Sequence, residues 1–171
     1  TIVTKTHAFE ITEPNKVFSN ATIIFTYSQY IYFLLLQSFL NEAWSWNYSS
    51  TMKGDRRYSP SDAFENFPFL NSDNKLGKLG KDYYKFRKQL IRNIQLGLTK
   101  TYNAFHGKEI QGNIRTADLE PKTKKEIEKE YGKETWNLWN HLQKTEGACS
   151  WEEAVQGIIE LRGLHKEMDE A

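Results

Sequence analysis

The stretch from Ile23 to Leu40, IIFTYSQYIYFLLLQSFL, is the most apolar part of the chain. A membrane-spanning helix needs about 20 nearly unbroken apolar residues. This run is interrupted by Thr26, Ser28, Gln29, Gln37 and Ser38. It therefore reads as a strand followed by a helix buried on most sides. Ser28 is a candidate N-cap, and the helix would run through Tyr32, Leu35, Leu36, Phe39 and Leu40 to about Trp44.

Around this run the periodicity changes. Residues 1–27 alternate and are rich in β-branched and aromatic types, with turn signals at EPNK and SN, which predicts two or three strands. The segment SWNYSSTMKGDRRYS predicts a hairpin with Lys53-Gly54-Asp55 near its tip, in which Trp44, Trp46 and Tyr48 alternate at strand spacing. Those rings could stack on bases, but sheet core is the plainer reading. Ser59, Pro60 and Asp62 then signal a capped helix start. Phe64, Phe67 and Phe69 anchor it, leaving Arg56 and Arg57 projecting from the strand before. LNSDNKLGKLG reads as a loop. From Lys81 to about Phe105, Tyr83, Phe86, Leu90, Ile91, Ile94, Leu98, Tyr102 and Phe105 recur at three- and four-residue steps, which predicts one long helix ending at Gly107, with His106 set to meet its last carbonyls. The opposite face is read as carrying Lys85, Arg87, Lys88, Arg92 and Lys100. After an irregular stretch, a charge-laced helix interrupted by Gly132 follows Pro121. A Ser150–Glu153 capping box then opens a last helix with Val155, Ile158, Ile159, Leu161, Leu164 and Met168 on its core face.

Hydrophobic content of 39% and aromatic content of 14% are enough for a core. Cys149 is the one cysteine, so no internal disulfide can form, which fits a reducing, cytoplasmic setting. The opening TIVTKTHAFEI does not read as a secretory signal but as the middle of something, and the chain reads as a fragment of a longer protein. The net charge of +1 hides an uneven layout. Residues 49–115 carry 13 Lys/Arg against 6 Asp/Glu, net +7, whereas residues 116–171 carry 8 against 13, net −5. A basic middle points to an anionic partner.

No nucleophile elbow, P-loop, dinucleotide fingerprint or zincin motif is present. His141, Cys149 and His165 match no metal-site spacing, so no catalytic or metal-binding residue is assigned. The strongest signal is a set of cations with hydroxyl donors nearby. Lys53, Arg56 and Arg57 lie in or beside the hairpin, Lys75, Lys78 and Lys81 in the loop, and Arg87, Lys88 and Arg92 on the long helix, with Ser49, Ser50, Thr51 and Tyr58 close in sequence. Phosphates are contacted by this mixture, and Arg can also read guanine in a major groove. The plainer alternative is a solvated basic face.

Three blocks carry a family resemblance: LLQSFLNEAWSWNYSSTMKGDRRYSPSDAFENFPFL (35–70), LGKDYYKFRKQLIRNIQLGLTKTYNAFH (79–106) and IIELRGLHKEMDEA (158–171). Their order resembles the C-terminal specificity region of adenine-specific DNA methyltransferases and the fused Type IIG restriction–modification enzymes. Asn41 stands where that pattern has His, Leu70 stands where it ends in Pro, and residues 107–150 are longer than the usual link. The resemblance implies an upstream methyltransferase domain that holds S-adenosylmethionine and acts on a flipped base. The present chain would hold no cofactor, bind double-stranded DNA as the target-recognition part, and have no activity alone. The alternative is a helical connector that docks the methyltransferase and recognition domains without touching DNA; a self-sufficient enzyme has little support.

The expected fold is α+β, a small N-terminal mixed or antiparallel sheet with a buried helix followed by long packed helices. Residues 1–70 would form the sheet-containing part. Residues 71–171 would form the helical part, with a long helix over 81–105, an insertion over 107–150 and a terminal helix over 151–170.

Overall fold

The computed structural model describes residues 3, 4, 6–52, 54–70 and 74–171, with the backbone alone at Val3, Thr4 and Met52. The fold is α+β. The chain divides into two compact units, residues 1–82 with 167–171 and residues 83–166. The expected division at residue 70 thus falls inside the first of them.

In the first unit, helix α1 (Tyr30–Gln37) buries Ile31, Phe33, Leu34, Leu35 and Leu36, as the apolar run requires. It does not continue to Trp44. Ser38 turns extended (φ −64°, ψ 155°), and its Oγ donates to the Leu35 carbonyl at 2.7 Å while accepting the Asn41 N–H at 3.2 Å. One hydroxyl thereby ends α1 and caps α2 (Phe39–Tyr48). The segment holding Trp44, Trp46 and Tyr48 is therefore helical, not a strand.

The sheet is antiparallel, three-stranded and small, in the order β1 (Val3–Thr4), β3 (Asp55–Arg57), β2 (Ser50–Met52). Gly54, at φ +84°, makes the β2–β3 turn. The other strands expected before residue 27 do not form. Residues 8–28 lack ladder partners, and local β preference without pairing is not enough. They are fastened by side chains instead. Phe9 and Phe25 pack on Tyr58, Tyr27 packs on Tyr32 and Phe64, and the Gln37 amide binds the His7 carbonyl and the Phe9 N–H. The capped start after β3 forms as a five-residue π-helical turn, Pro60–Phe64, with Ser59 and Asp62 bonded side chain to side chain at 2.6 Å. Phe69 closes it against Phe64 and Phe67.

Helix α3 (Asn74–Ile94) begins before Lys81, so Gly77 and Gly80 lie inside it rather than in a loop. A Cβ at Gly80 would fall 2.5 Å from the Tyr30 carbonyl oxygen and 2.9 Å from Leu34 Cβ, so only glycine permits this approach to α1. At Gly77 a Cβ would meet nothing within 4 Å. Gly80→Ala should therefore cost about 2 kcal/mol through overpacking, whereas Gly77→Ala should gain up to about 1 kcal/mol of helix propensity. Urea denaturation of both variants measures the difference; shifts of the same sign would contradict the close approach.

In the second unit the predicted single helix to Phe105 is broken. Gln95 adopts φ 50°, and α4 (Leu98–His106) restarts after Gly97. The break is held from outside the segment. The last carbonyls of α3 are taken by the Cys149 N–H (to Asn93, 2.9 Å) and by His141 Nε2 (to Ile94, 2.9 Å). Residues 107–150 contain α5 (Thr116–Leu119), α6 (Lys124–Tyr131) and α7 (Lys133–Lys144), with Gly132 at φ +85° between the last two. These helices bury Leu119, Ile127 and Leu138 and so belong to the unit's own core. Helix α8 (Trp151–Glu170) opens on the expected Ser150–Glu153 box. Its Arg162 takes the carbonyls at the end of α4, at Ala104, Phe105 and Gly107, as well as that of Ile110. Among the described residues no helix is long and apolar enough to cross a membrane.

Candidate nucleic-acid interface

The hairpin separates the two arginines that the sequence sets side by side. Successive residues of a strand face opposite ways. Arg56 turns inward and is 1% exposed, while Arg57 is exposed. The Arg56 guanidinium lies 5.3 Å from the Trp46 ring centre and 3.9 Å from Glu42 Oε1, and donates to the Glu42 carbonyl at 3.5 Å. Burial pulls its pKa below the ordinary value, against the opposing effect of Glu42. Tyr58 is also buried, its hydroxyl 3.5 Å from Asn41 Oδ1, and burial raises its pKa. Both residues hold the hairpin on α2. This explains an inversion in α2, where Asn41 and Ser45 face inward while Phe39 and Leu40 are exposed at 65% and 62%. Arg56 does not project to solvent as its sequence context predicts, and Tyr58, expected as a nearby hydroxyl donor, is buried.

Of the hydroxyl donors, Ser49 is committed to the Ser59 N–H at 3.2 Å. Ser50 is exposed and pairs across the ladder with Arg57; Thr51 is exposed opposite Arg56. Lys53 lies outside the described residues.

The lysines of the expected loop stand on α3. Lys78 and Lys81 line an open groove of about 500 Å³ with Gln29, Tyr30 and Asn74, beside the start of α1. Lys75 and Lys78 line a second groove with Asp82, Glu167 and Glu170, which tempers their positive field.

In the second unit Arg87 is fully buried, again against expectation. It lies four residues after Tyr83 and three before Leu90, on the apolar stripe of α3. Its Nη1 donates to the Tyr102 hydroxyl at 3.2 Å, and that hydroxyl shares a 2.8 Å hydrogen bond with Tyr83. Lys88 and Arg92 are exposed, with Lys88 Nζ 5.5 Å from the Tyr84 ring centre.

Comparison with family models, with curated proteins and with solved structures finds no match to this chain.

The feature that unites the remaining cations is the register of one helix. Lys75, Lys78, Lys81, Lys85, Lys88 and Arg92 follow one another at steps of three, three, four, three and four residues, and all six are exposed. They form one stripe along α3, about 25 Å long at 1.5 Å per residue. Asp82 is the one acidic residue of that helix. The site reading from sequence omits Lys85, although the three- and four-residue spacing of its charged neighbours marks it. Among the described residues no group of three or more His, Cys, Asp or Glu is arranged to hold a metal ion.

Proposed function

We propose that this chain binds duplex DNA through the basic stripe of α3, as the recognition part of an adenine-specific DNA methyltransferase of the restriction–modification type. The observation that carries the reading is the spacing of the six exposed cations on one 21-residue helix. A row of this length faces many phosphates, since duplex DNA presents one charge per ~1.7 Å of axis. Arg57, outward on β3, adds a fork suited to a phosphate or a guanine edge. The order of the three sequence blocks supplies the enzyme class. S-adenosylmethionine belongs, on this reading, to the upstream domain, and no residue here is assigned to it or to catalysis.

A gel-shift series in rising salt tests this. Wild-type chain should bind a duplex and lose affinity steeply as salt rises, through counterion release. The triple variant Lys85→Gln, Lys88→Gln, Arg92→Gln should bind more weakly, with a log–log salt slope smaller by about 3. These side chains are exposed, so the melting midpoint should hold. No shift by the wild-type chain at any salt would sink the proposal.

A second reading has its own observation. The exposed Phe39 and Leu40 of α2, and a first unit with 8 Lys/Arg against 11 Asp/Glu, net −3, fit a connector that docks on another protein. The second unit carries 15 against 11, net +4. A pure connector would leave DNA unshifted in the same titration.

A further inference from the structure

We propose that Tyr48 is a stacking platform for an unpaired nucleobase. The inference rests on the DNA-binding reading and assigns a residue outside the basic stripe. Tyr48 ends α2 and is 52% exposed. One side of its ring lies against Trp44, with ring centres 4.2 Å apart and planes inclined at 34°. Trp44 is itself fixed, because its Nε1 donates to the Ala63 carbonyl at 2.9 Å and its ring meets Phe67 edge-on at 5.9 Å. Tyr48 is thus a half-exposed flat ring backed by an anchored indole. Such a ring loses little side-chain entropy when something stacks on it.

The surroundings select the ligand. Tyr48 lies nine residues beyond Phe39, half a helical turn round from it. The chain goes on at once to Ser49 and to Ser50, which stands across the ladder from the outward Arg57. A π face followed two residues on by an exposed serine, itself across the ladder from an exposed arginine, matches a base with its flanking phosphate, a pairing tolerant of base identity. Trp46 is a poorer platform, because the buried Arg56 guanidinium already lies over its ring.

The experiment compares two duplexes of the same sequence, one fully paired and one with a single unpaired nucleotide, titrated with the 171-residue chain. Wild type should prefer the duplex with the unpaired nucleotide by about ten- to a hundredfold. Tyr48→Phe should keep the preference. Tyr48→Ala should abolish it while leaving the salt slope for paired duplex unchanged. Tyr48→Leu keeps an apolar contact on Trp44 without a π face, so it should lose the preference even if the alanine variant folds poorly. Arg57→Ala should do the converse, lowering the slope by about 1. If the wild-type chain binds paired duplex but shows no preference, or if the preference survives Tyr48→Leu, the stacking role is overturned and the DNA-binding reading stands. If it binds neither duplex, both fall.

Discussion

Arg162→Ala should lower the stability of the chain by about 4 kcal/mol, the largest effect expected of any single substitution described above. The guanidinium donates to four carbonyls: Nε to Phe105 at 2.7 Å, Nη1 to Ile110 at 2.8 Å, and Nη2 to Ala104 at 3.0 Å and to Gly107 at 2.7 Å. These include the last carbonyls of α4, although that of Ala104 also accepts the Gly107 N–H at 3.2 Å and that of Gly107 the Ile110 N–H at 3.0 Å, and a positive charge there also meets the negative end of the helix dipole. Hydrogen bonds from a charged donor contribute roughly 1.5–3 kcal/mol each when made singly. Four made by one planar group are not additive, which keeps the sum near 4. Burial lowers the Arg162 pKa, opposed by Glu109, but an arginine stays charged throughout. Arg162→Lys should recover less than half, because an ammonium has three donors and no fork. Urea unfolding followed by circular dichroism measures both. A loss below about 1 kcal/mol for the alanine variant would mean that water replaces the clamp at little cost.

Arg56→Ala should cost about 3 kcal/mol of stability, and Arg57→Ala less than about 0.5 kcal/mol. The two arginines are adjacent, yet the pleat sends one under Trp46 and the other to solvent. Truncating Arg56 removes the guanidinium that lies over Trp46 and bonds Glu42, and leaves a space beneath the hairpin. Arg56→Met fills that space without a charge. It should restore most of the loss, since desolvating the guanidinium offsets much of its attraction to Glu42. The same three variants in the salt titration separate support from contact. Any effect of Arg56→Ala on DNA should vanish in Arg56→Met, whereas the effect of Arg57→Ala on the salt slope should persist at unchanged stability. Equal midpoints for Arg56→Ala and Arg57→Ala would refute the inward placement.

Much of this was open to reading along the chain. Capping is decided within four residues, so Ser59 with Asp62 and Ser150 with Glu153 form as their spacing predicts. The burial of Arg87 and Arg56 was legible too, because a three-and-four step puts Arg87 between Tyr83 and Leu90, and a two-residue period cannot expose both Arg56 and Arg57. In both cases residue type outweighed position in the reading. The remaining cations of α3 fall on one stripe for the same reason, since helical register is a property of the local chain.

Other features were not available locally. Ser38 lies in a run that reads as continuous helix, and the break needs its hydroxyl between two helices. The end of α3 depends on Cys149 and His141, and the end of α4 on Arg162, each more than forty residues away. The β-rich residues 8–28 remain without a ladder because no neighbouring strand reaches them. The sequence determined the caps at Ser59 and Ser150, the apolar face of α3 and which of its cations share a face. Tertiary structure decided where helices stop and which aromatic rings stay half-exposed, because those outcomes turn on hydrogen-bond partners and packing surfaces brought from distant parts of the chain.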